Sequence, residues 1–245
     1  MNSHTASPWS FAVRSSCLLI SFLLTSVSIW AQQDVNRDAI QRIDASVLRR
    51  DEGIIGYTVN EHYAVFRGKD EINPVAEMRV KTTYKRDAGK RYDIQSETGS
   101  ELPRKVLEIV LDNEKRLSEP ANRKTAVITS TNYEMAVKGS ESIDGRDCLA
   151  VTLKPRRSSP YLFNGTIWVD AQDGFIVQLE GVAAKSASVL SGPSQVFRQY
   201  AVVDGFPMAT HAKAVSNSWM LGHTVIKIDY SEYQIQFASE SSSAH

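Results

Sequence analysis

The stretch GTIWVDAQDGFIVQLEG, residues 165–181, decides the fold of this chain. Two apolar runs flank DAQDG, in which Asp170 and Asp173 are three positions apart. Because glycine accepts a positive φ and aspartate side chains hydrogen-bond to the local backbone, DAQDG predicts the turn of a β-hairpin. A calcium loop of the EF-hand type is a poor match, since Gln172 is at position 3 of the loop and Gly174 is at position 5 instead of position 6.

The pairing within this hairpin follows from the length of its loop. If residues 171–174 form the loop, Asp170 opposes Phe175. The next expected pairs are Trp168 with Val177 and Thr166 with Leu179. One face then carries Trp168, Phe175, Val177 and Leu179, and the other carries Ile167, Val169 and Ile176. Both faces are apolar, which predicts a strand pair covered on both sides, and a one-residue bulge would shift the register.

Alternating residues predict further strands on both sides of the hairpin. The first apolar face consists of Ile55, Tyr57, Val59, Tyr63 and Val65, and the second of Ala76, Met78, Val80, Thr82 and Tyr84. Asp204 and Gly205 lie between two apolar runs and predict a tight hairpin turn. The last strand changes phase near Ser231, which predicts a bulge. About ten strands are expected in all.

Two segments have helical periodicity. The first begins at Asp34, which is expected to cap its N-terminus, and places Ile40, Ile43 and Val47 on one face. The second covers residues 100–117 and ends before Pro120. Its apolar stripe consists of Val106, Leu107, Val110, Leu111 and Leu117.

The two helices must cover the apolar face of a large sheet. The simplest arrangement is a mainly antiparallel β fold, in which the sheet curves into a half-open barrel and the two helices close it as a plug. Such a sheet, imperfectly filled by two helices, is expected to enclose an apolar cavity. With no internal repeat and no Pro- or Gly-rich linker, residues 32–237 are predicted to form one domain and residues 238–245 a disordered tail.

The first 31 residues resemble a secretory signal peptide. Arg14 is the only charged side chain before Asp34, and the apolar stretch 17–31 is shorter than the roughly 20 residues of a spanning helix. Cleavage is expected near Ala31, with Ser28 as a second candidate position and a retained membrane anchor as the alternative. No lipobox surrounds Cys17. We therefore expect an exported, periplasmic protein that is soluble after cleavage.

Composition limits the classes of partner. The chain has 28 basic and 28 acidic residues, and this balance argues against nucleic acid as a partner. Cleavage leaves Cys148 as the single cysteine, so no internal disulfide is expected. Cys148 is predicted to be a small buried residue rather than a nucleophile. We expect a monomer.

Catalytic and metal-binding motifs are missing from the sequence. It contains no G-x-S-x-G, Gly-rich phosphate loop, H-E-x-x-H or C-x-x-C, so we expect no enzymatic activity, no cofactor and no metal. A tight turn at Asp204-Gly205 places His211 opposite Arg198, which is a poor neighbour for a metal ligand. A hydrolase acting on the envelope is the least favoured function, because no residue constellation supports it.

Several motifs together resemble a known family. They are GIIGYTVNEHYAVFR after the first helix, IDGRDCLAVTLKP, the hairpin above, FRQYAVVDGFPM and TVIKIDYSEYQI. They are similar to the outer-membrane lipoprotein-sorting proteins of the LolA/LolB-like superfamily, in a bacterial branch that departs from the authentic carriers. The resemblance covers most of residues 34–236. The departure is the missing Arg-Pro pattern after the first hairpin, so the resemblance does not assign the carriers' cavity arginine to Arg79, Arg86 or Arg91.

The resemblance implies a half-open antiparallel barrel whose apolar interior accepts lipid acyl chains. The expected function is a periplasmic carrier or binding protein for lipid or a lipidated protein. The alternative is a non-enzymatic sensor or interaction module that binds lipoproteins or a membrane protein partner. The residues expected to line the cavity come from the apolar strand faces: Tyr57, Val59, Met78, Val80, Tyr84, Tyr92, Trp168, Val177, Ile226 and Ile228.

Overall fold

A computed structural model describes residues 16–185, 194–218 and 222–238, with side chains described from residue 33 onward. The chain divides into two compact units, residues 1–38 and residues 39–245. The described part of the first unit is entirely helical. Residues 1–15 of the expected signal peptide and residues 239–245 of the expected tail lie outside the described residues. None of the described helices combines the length and apolar character needed to cross a membrane.

The second unit consists of one antiparallel sheet and the helices on it, including the part of α1 from residue 39 onward. The helices are α1 (Ser16–Gly53), α2 (Glu101–Ser118) and α3 (Pro120–Arg123). The strands are β1 (Ile54–Arg67), β2 (Ala76–Lys85), β3 (Gly89–Gly99), β4 (Tyr133–Ile143), β5 (Arg146–Pro155), β6 (Phe163–Asp170), β7 (Ile176–Ala183), β8 (Gln195–Val203), β9 (Phe206–Ser218) and β10 (Gly222–Phe237).

The sheet has the expected strand number and is not closed. Its strand order is β3-β2-β1-β10-β9-β8-β7-β6-β5-β4, so β3 and β4 are its two edges. This confirms the predicted mainly antiparallel, half-open barrel. The sequence predicted two helices, and the structure adds α3. Pro120 begins this short helix at N1, where a missing N–H costs nothing.

Side-chain alternation holds well in the first strands. Ala76, Met78, Val80, Thr82 and Tyr84 are all buried, as predicted for β2. In β1 the prediction fails at Ile55, which is 39% exposed. An irregularity in the pairing with β10 falls between Ile54 and Gly56, and it puts Ile54 rather than Ile55 in the core.

Each large helix packs on a different part of the same sheet face. In α2, Leu107 and Leu111 join Tyr63, Met78, Val80 and Ile228 in one buried cluster. In α1, Ile43 joins a second cluster that includes Val151, Ile167, Val169 and Leu179. The predicted stripes are thus the packing faces of both helices. The cluster under α2 and the cluster under α1 are separate, and the cavity described below lies between the two helices and the sheet.

The helix α1 starts earlier than expected. We predicted that it begins at Asp34 with this residue as its cap, but the helix runs from Ser16 through Asp34. The prediction was wrong because residues 16–33 contain no proline or glycine to stop the helix.

The hairpin that decides the fold has the predicted loop and a different register. Asp170 N–H donates to Phe175 O at 2.8 Å, which closes the loop at residues 171–174. Trp168 however pairs with Gln178, and Thr166 with Glu180, because the register shifts between Trp168 and Val169. Our Trp168–Val177 and Thr166–Leu179 pairs were therefore wrong.

The shifted register changes which residues share a face. Leu179 pairs with Ile167 and lies in the core on the α1 side. Trp168 lies on the other side, where its Nε1 donates to Glu141 Oε2 at 2.7 Å. Because Trp168 shares this side with Gln178 and Glu180, the outer face is mixed rather than apolar, contrary to the expectation.

Similar shifts occur at two other strands. Val203 pairs with Phe206 around the Asp204-Gly205 turn as predicted, but a bulge between Gln199 and Tyr200 follows. It places His211 opposite Gln199 instead of Arg198. In β10, Glu232 has φ 56° and the pairing with β1 slips nearby, which confirms the predicted bulge near Ser231.

Candidate ligand-binding cavity

A cavity of about 330 Å³ lies between the sheet and the helices of the second unit. Ligand pockets in proteins span about 300–1,000 Å³, so this cavity suits one small ligand or one slender chain. Its apolar wall comes from both helices, the connection after α3 and the sheet. These residues are Val47, Leu117, Val127, Ile128, Phe163, Ile176, Leu179 and Val196.

Four charged side chains form the floor of the cavity, and three of them centre on Glu114 of α2. Glu114 accepts from Lys90 Nζ at 2.9 Å and from Arg198 Nη2 at 3.1 Å. Burial raises the pKa of Glu114, but Lys90 and Arg198 outweigh it and bring the pKa down to about 2. For Lys90 burial lowers the pKa, and the neighbouring Glu114 and the other groups around it together raise it by more. Glu114 and Lys90 are therefore both charged at neutral pH.

The fourth floor residue is Glu61 of β1, which is only 2% exposed. Tyr63 Oη donates to its Oε2, and its Oε1 has no hydrogen-bond partner among the described residues. Lys90 Nζ is 4.0 Å from Oε1. The floor therefore contains two cations and two carboxylates that balance one another.

Aromatic side chains surround the floor. The rings of Tyr57 and Tyr84 stack with centroids 4.9 Å apart, and Tyr233 meets Tyr57 edge-on at 5.8 Å. Burial raises the pKa of Tyr230 and of Tyr233, so both are uncharged at neutral pH. Uncharged phenols offer hydrogen bonds and an apolar ring surface at the same time.

The last turn of α1 adds a polar segment to the wall. Arg123 Nε is 3.1 Å from Asp51 Oδ1, and Arg123 also donates to Tyr84 Oη. Arg50 Nε donates to Pro207 O at 3.0 Å. These contacts connect α1, α3 and β9 beside the cavity.

The ten residues predicted to line the cavity are distributed over several environments. Tyr57 and Tyr84 lie on its wall. Met78, Val80 and Ile228 lie in the cluster under α2, with Tyr92 and Ile226 packed against that cluster. Val59 is fully buried. Trp168 lies on the outer face of the sheet, and Val177 is half-buried in β7.

Sequence reasoning missed the charged floor. Glu61 follows Val59 and precedes Tyr63 at the spacing of one strand face, so its burial was readable from the alternation. Glu114 lies three residues after Leu111 on the apolar stripe of α2. Arg198 had no such signal, because burial does not alternate along β8, where five consecutive residues from Val196 to Tyr200 are half-buried.

The two aspartates of DAQDG, Asp170 and Asp173, lie in the hairpin turn, as predicted. Asp170 Oδ1 accepts the backbone N–H groups of Gln172 and Asp173 at 2.8 and 2.9 Å. The carbonyl of Gly174 accepts from Ser46 Oγ at 2.9 Å, which fixes α1 to this turn. Among the described residues no three His, Cys, Asp or Glu side chains group as metal ligands. Cys148 is buried, and burial raises the pKa of its thiol.

Comparison with solved structures finds similar folds at low sequence identity. A putative outer membrane lipoprotein-sorting protein domain from Vibrio parahaemolyticus is 14% identical, with 81% of this chain and 93% of that chain covered and a TM-score of 0.46. A LolA superfamily protein from Nitrosomonas europaea is 13% identical, with 82% and 93% covered and a TM-score of 0.42. A DUF1329 family protein from Desulfovibrio piger is 13% identical, with 80% and 93% covered and a TM-score of 0.41.

The Vibrio and Nitrosomonas structures carry the family names that the sequence resemblance predicts, and the DUF1329 family is one that the resemblance did not name. No protein-family model and no curated protein matches the chain.

Proposed function

We propose that this protein is a binding or carrier protein for a lipid or a lipidated protein of the cell envelope. The observation that supports it is the cavity of about 330 Å³ with apolar walls from α1, α2 and the sheet. Burial of an acyl chain is worth about 0.8 kcal/mol per CH₂ group. A chain of ten such groups would therefore gain about 8 kcal/mol before the cost of ordering it.

The proposal places the protein in the periplasm after removal of residues near 1–31. The apolar stretch before Ala31 supports this, as does an interior that would shield an acyl chain from water between two membranes. Outer-membrane lipoprotein sorting is the process that the sequence resemblance implies.

Binding rather than catalysis is the proposed activity. The ionisable groups at the floor engage one another, since Glu114 holds both Lys90 and Arg198. A general base or nucleophile has to reach a substrate atom, and a carboxylate held between two cations at a low pKa is a poor proton acceptor at neutral pH.

Native mass spectrometry tests the proposal. The protein expressed from the full-length chain is purified without detergent and compared with the same sample after organic extraction. We expect extra mass that matches a lipid, lost on extraction and regained on incubation with envelope lipids. A protein that is repeatedly empty and takes up no lipid contradicts the proposal. Co-purification of an envelope protein without lipid supports the interaction module instead.

A further inference from the structure

The charges of the side chains that line the cavity do not sum to zero. Four are cations, namely Arg50, Lys90, Arg123 and Arg198, and three are carboxylates, namely Asp51, Glu61 and Glu114. Lys90 and Arg198 are balanced by Glu61 and Glu114 at the floor, and Arg123 is paired with Asp51 at 3.1 Å. One positive charge remains, and it belongs to Arg50.

The contacts of Arg50 are to neutral atoms. Its Nε donates to the carbonyl of Pro207 at 3.0 Å, and its Nη2 approaches Met208 Sδ at 3.6 Å. No carboxylate of the described residues lies within ion-pair distance of it. A guanidinium has five N–H donors in a planar fork, so these two contacts leave donors available. They also fix the orientation of the fork.

Arg50 is next to both kinds of surface that an amphiphile needs. It lies in the last turn of α1, one turn from the apolar wall residue Val47. Both side chains line the same cavity, so a ligand in contact with the apolar wall passes near an uncompensated cation. A half-buried cation without a counterion loses hydration and recovers it only partly from a carbonyl and a sulfur. An anion supplied by the ligand would complete this arrangement.

We propose that the cavity selects an anionic amphiphile, with a carboxylate or phosphate bound by Arg50 and a single alkyl chain on the apolar wall. This inference rests on the proposed function and specifies its ligand. Arginine suits both head groups, because its fork matches the oxygen pairs of carboxylates and phosphates. Neutral lipids would fill the same wall but leave Arg50 without a counterion.

Three C12 probes test the proposal by isothermal titration calorimetry at pH 8: dodecanol, dodecanoate and dodecyl phosphate. They share one alkyl chain and differ in the head group, so dodecanol reports on the cavity alone. The two anions distinguish a fatty-acid source from a phosphate source. We expect the wild-type protein to bind at least one anion roughly 10-fold or more tightly than dodecanol.

Two variants assign the preference to Arg50. Arg50→Gln should remove the anion preference, so that the anions bind this variant no more tightly than dodecanol does, while Arg50→Lys should retain part of the preference. Arg49→Gln is the matched control, because it removes the same charge from the neighbouring position, where Arg49 stacks on Phe175 and does not line the cavity. Circular dichroism checks that each variant is folded.

The outcomes separate the two proposals. If dodecanol and the anions bind wild type equally, or if Arg50→Gln and Arg49→Gln weaken the anions alike, the anion inference is overturned and the cavity proposal stands. If no probe binds wild type, the cavity proposal itself fails. If Arg50→Gln does not fold, the wild-type titrations still test the inference. A wild-type protein that binds neither anion more tightly than dodecanol overturns it.

Discussion

Arg198 Nη2 on β8 lies 3.1 Å from Oε1 of Glu114 on α2, and the other oxygen of this carboxylate holds Lys90 on β3. One side chain of a helix thereby connects a strand at the sheet edge with a strand well inside the sheet. The three groups are at most 29% exposed, so solvent screens them only in part. The ion pairs of Glu114 therefore hold α2 against the sheet at the floor of the cavity.

The first prediction concerns loss of the Glu114 charge. Glu114→Gln leaves two buried cations without their shared counterion, and removal of one partner from such a pair costs about 3 kcal/mol or more. We expect this loss in urea unfolding at pH 7. Glu108→Gln is the control, because Glu108 lies on the same helix and is exposed. Equal midpoints for the two variants would contradict the prediction.

The second prediction concerns pH. The folded-state pKa of Glu114 is about 2, against an ordinary value of 4.5, so its ionisation stabilises the fold above about pH 5. This contribution, about 3 kcal/mol by linkage, decreases as the pH falls from 5 towards 2. Urea unfolding of wild type and Glu114→Gln should therefore converge in this range. If the difference in unfolding free energy between wild type and Glu114→Gln stays constant down to pH 2, ionisation of Glu114 does not contribute to the pH dependence of stability.

The third prediction tests the cavity by filling it. Val47→Trp puts an indole into the space lined by α1 and should reduce retained lipid about 10-fold or more. Because the cavity has room, we expect stability to change by less than about 1 kcal/mol. Leu48→Trp is the matched control, since Leu48 is the next residue of α1 and is 56% exposed. Native mass spectrometry of both variants measures the bound mass, and undiminished lipid in Val47→Trp argues against this cavity as the site.

The fourth prediction concerns the turn of the deciding hairpin. Gly174 has φ 69°, and an added Cβ would lie 2.7 Å from the backbone of Arg42 in α1. Gly205 has φ 83° and open space around it. Gly205→Ala should therefore cost about 1 kcal/mol from backbone strain alone, and Gly174→Ala at least about 1 kcal/mol more. Urea unfolding measures both, and equal losses would mean that the turn and α1 are not in close contact.

Much of the fold was predictable from local pattern. Alternation in β2 identified every buried residue of that strand, and the DAQDG turn had the predicted loop. The pairing register between strands was harder to predict, because bulges at Trp168–Val169 and Gln199–Tyr200 each shift the pairing by one residue. Such bulges depend on contacts between strands, which the sequence of one strand does not contain.

The cavity was harder to predict than the sheet. Tyr57 and Tyr84 were found because large side chains on an inner face were assumed to surround an empty interior. Met78 and Ile228 share that face but are covered by α2. Where a helix lies on a sheet decides which inner residues pack and which line a space, and this depends on long-range contacts. The charged floor was missed because an apolar face was taken to exclude Glu61.

The strand order has a consequence for how the chain folds. Every neighbouring pair in the sheet is consecutive in sequence except β1 with β10, which joins residues 54–67 to residues 222–237. The strands β1–β3 and β4–β9 can each pair as they leave the ribosome, but they stay two separate ribbons until the final strand is available. Because this one pairing closes a loop of nearly the whole domain, it is the slow step expected from contact order. A nascent chain that lacks residues 222–245 therefore has two separate ribbons, β1–β3 and β4–β9, and no shared interior.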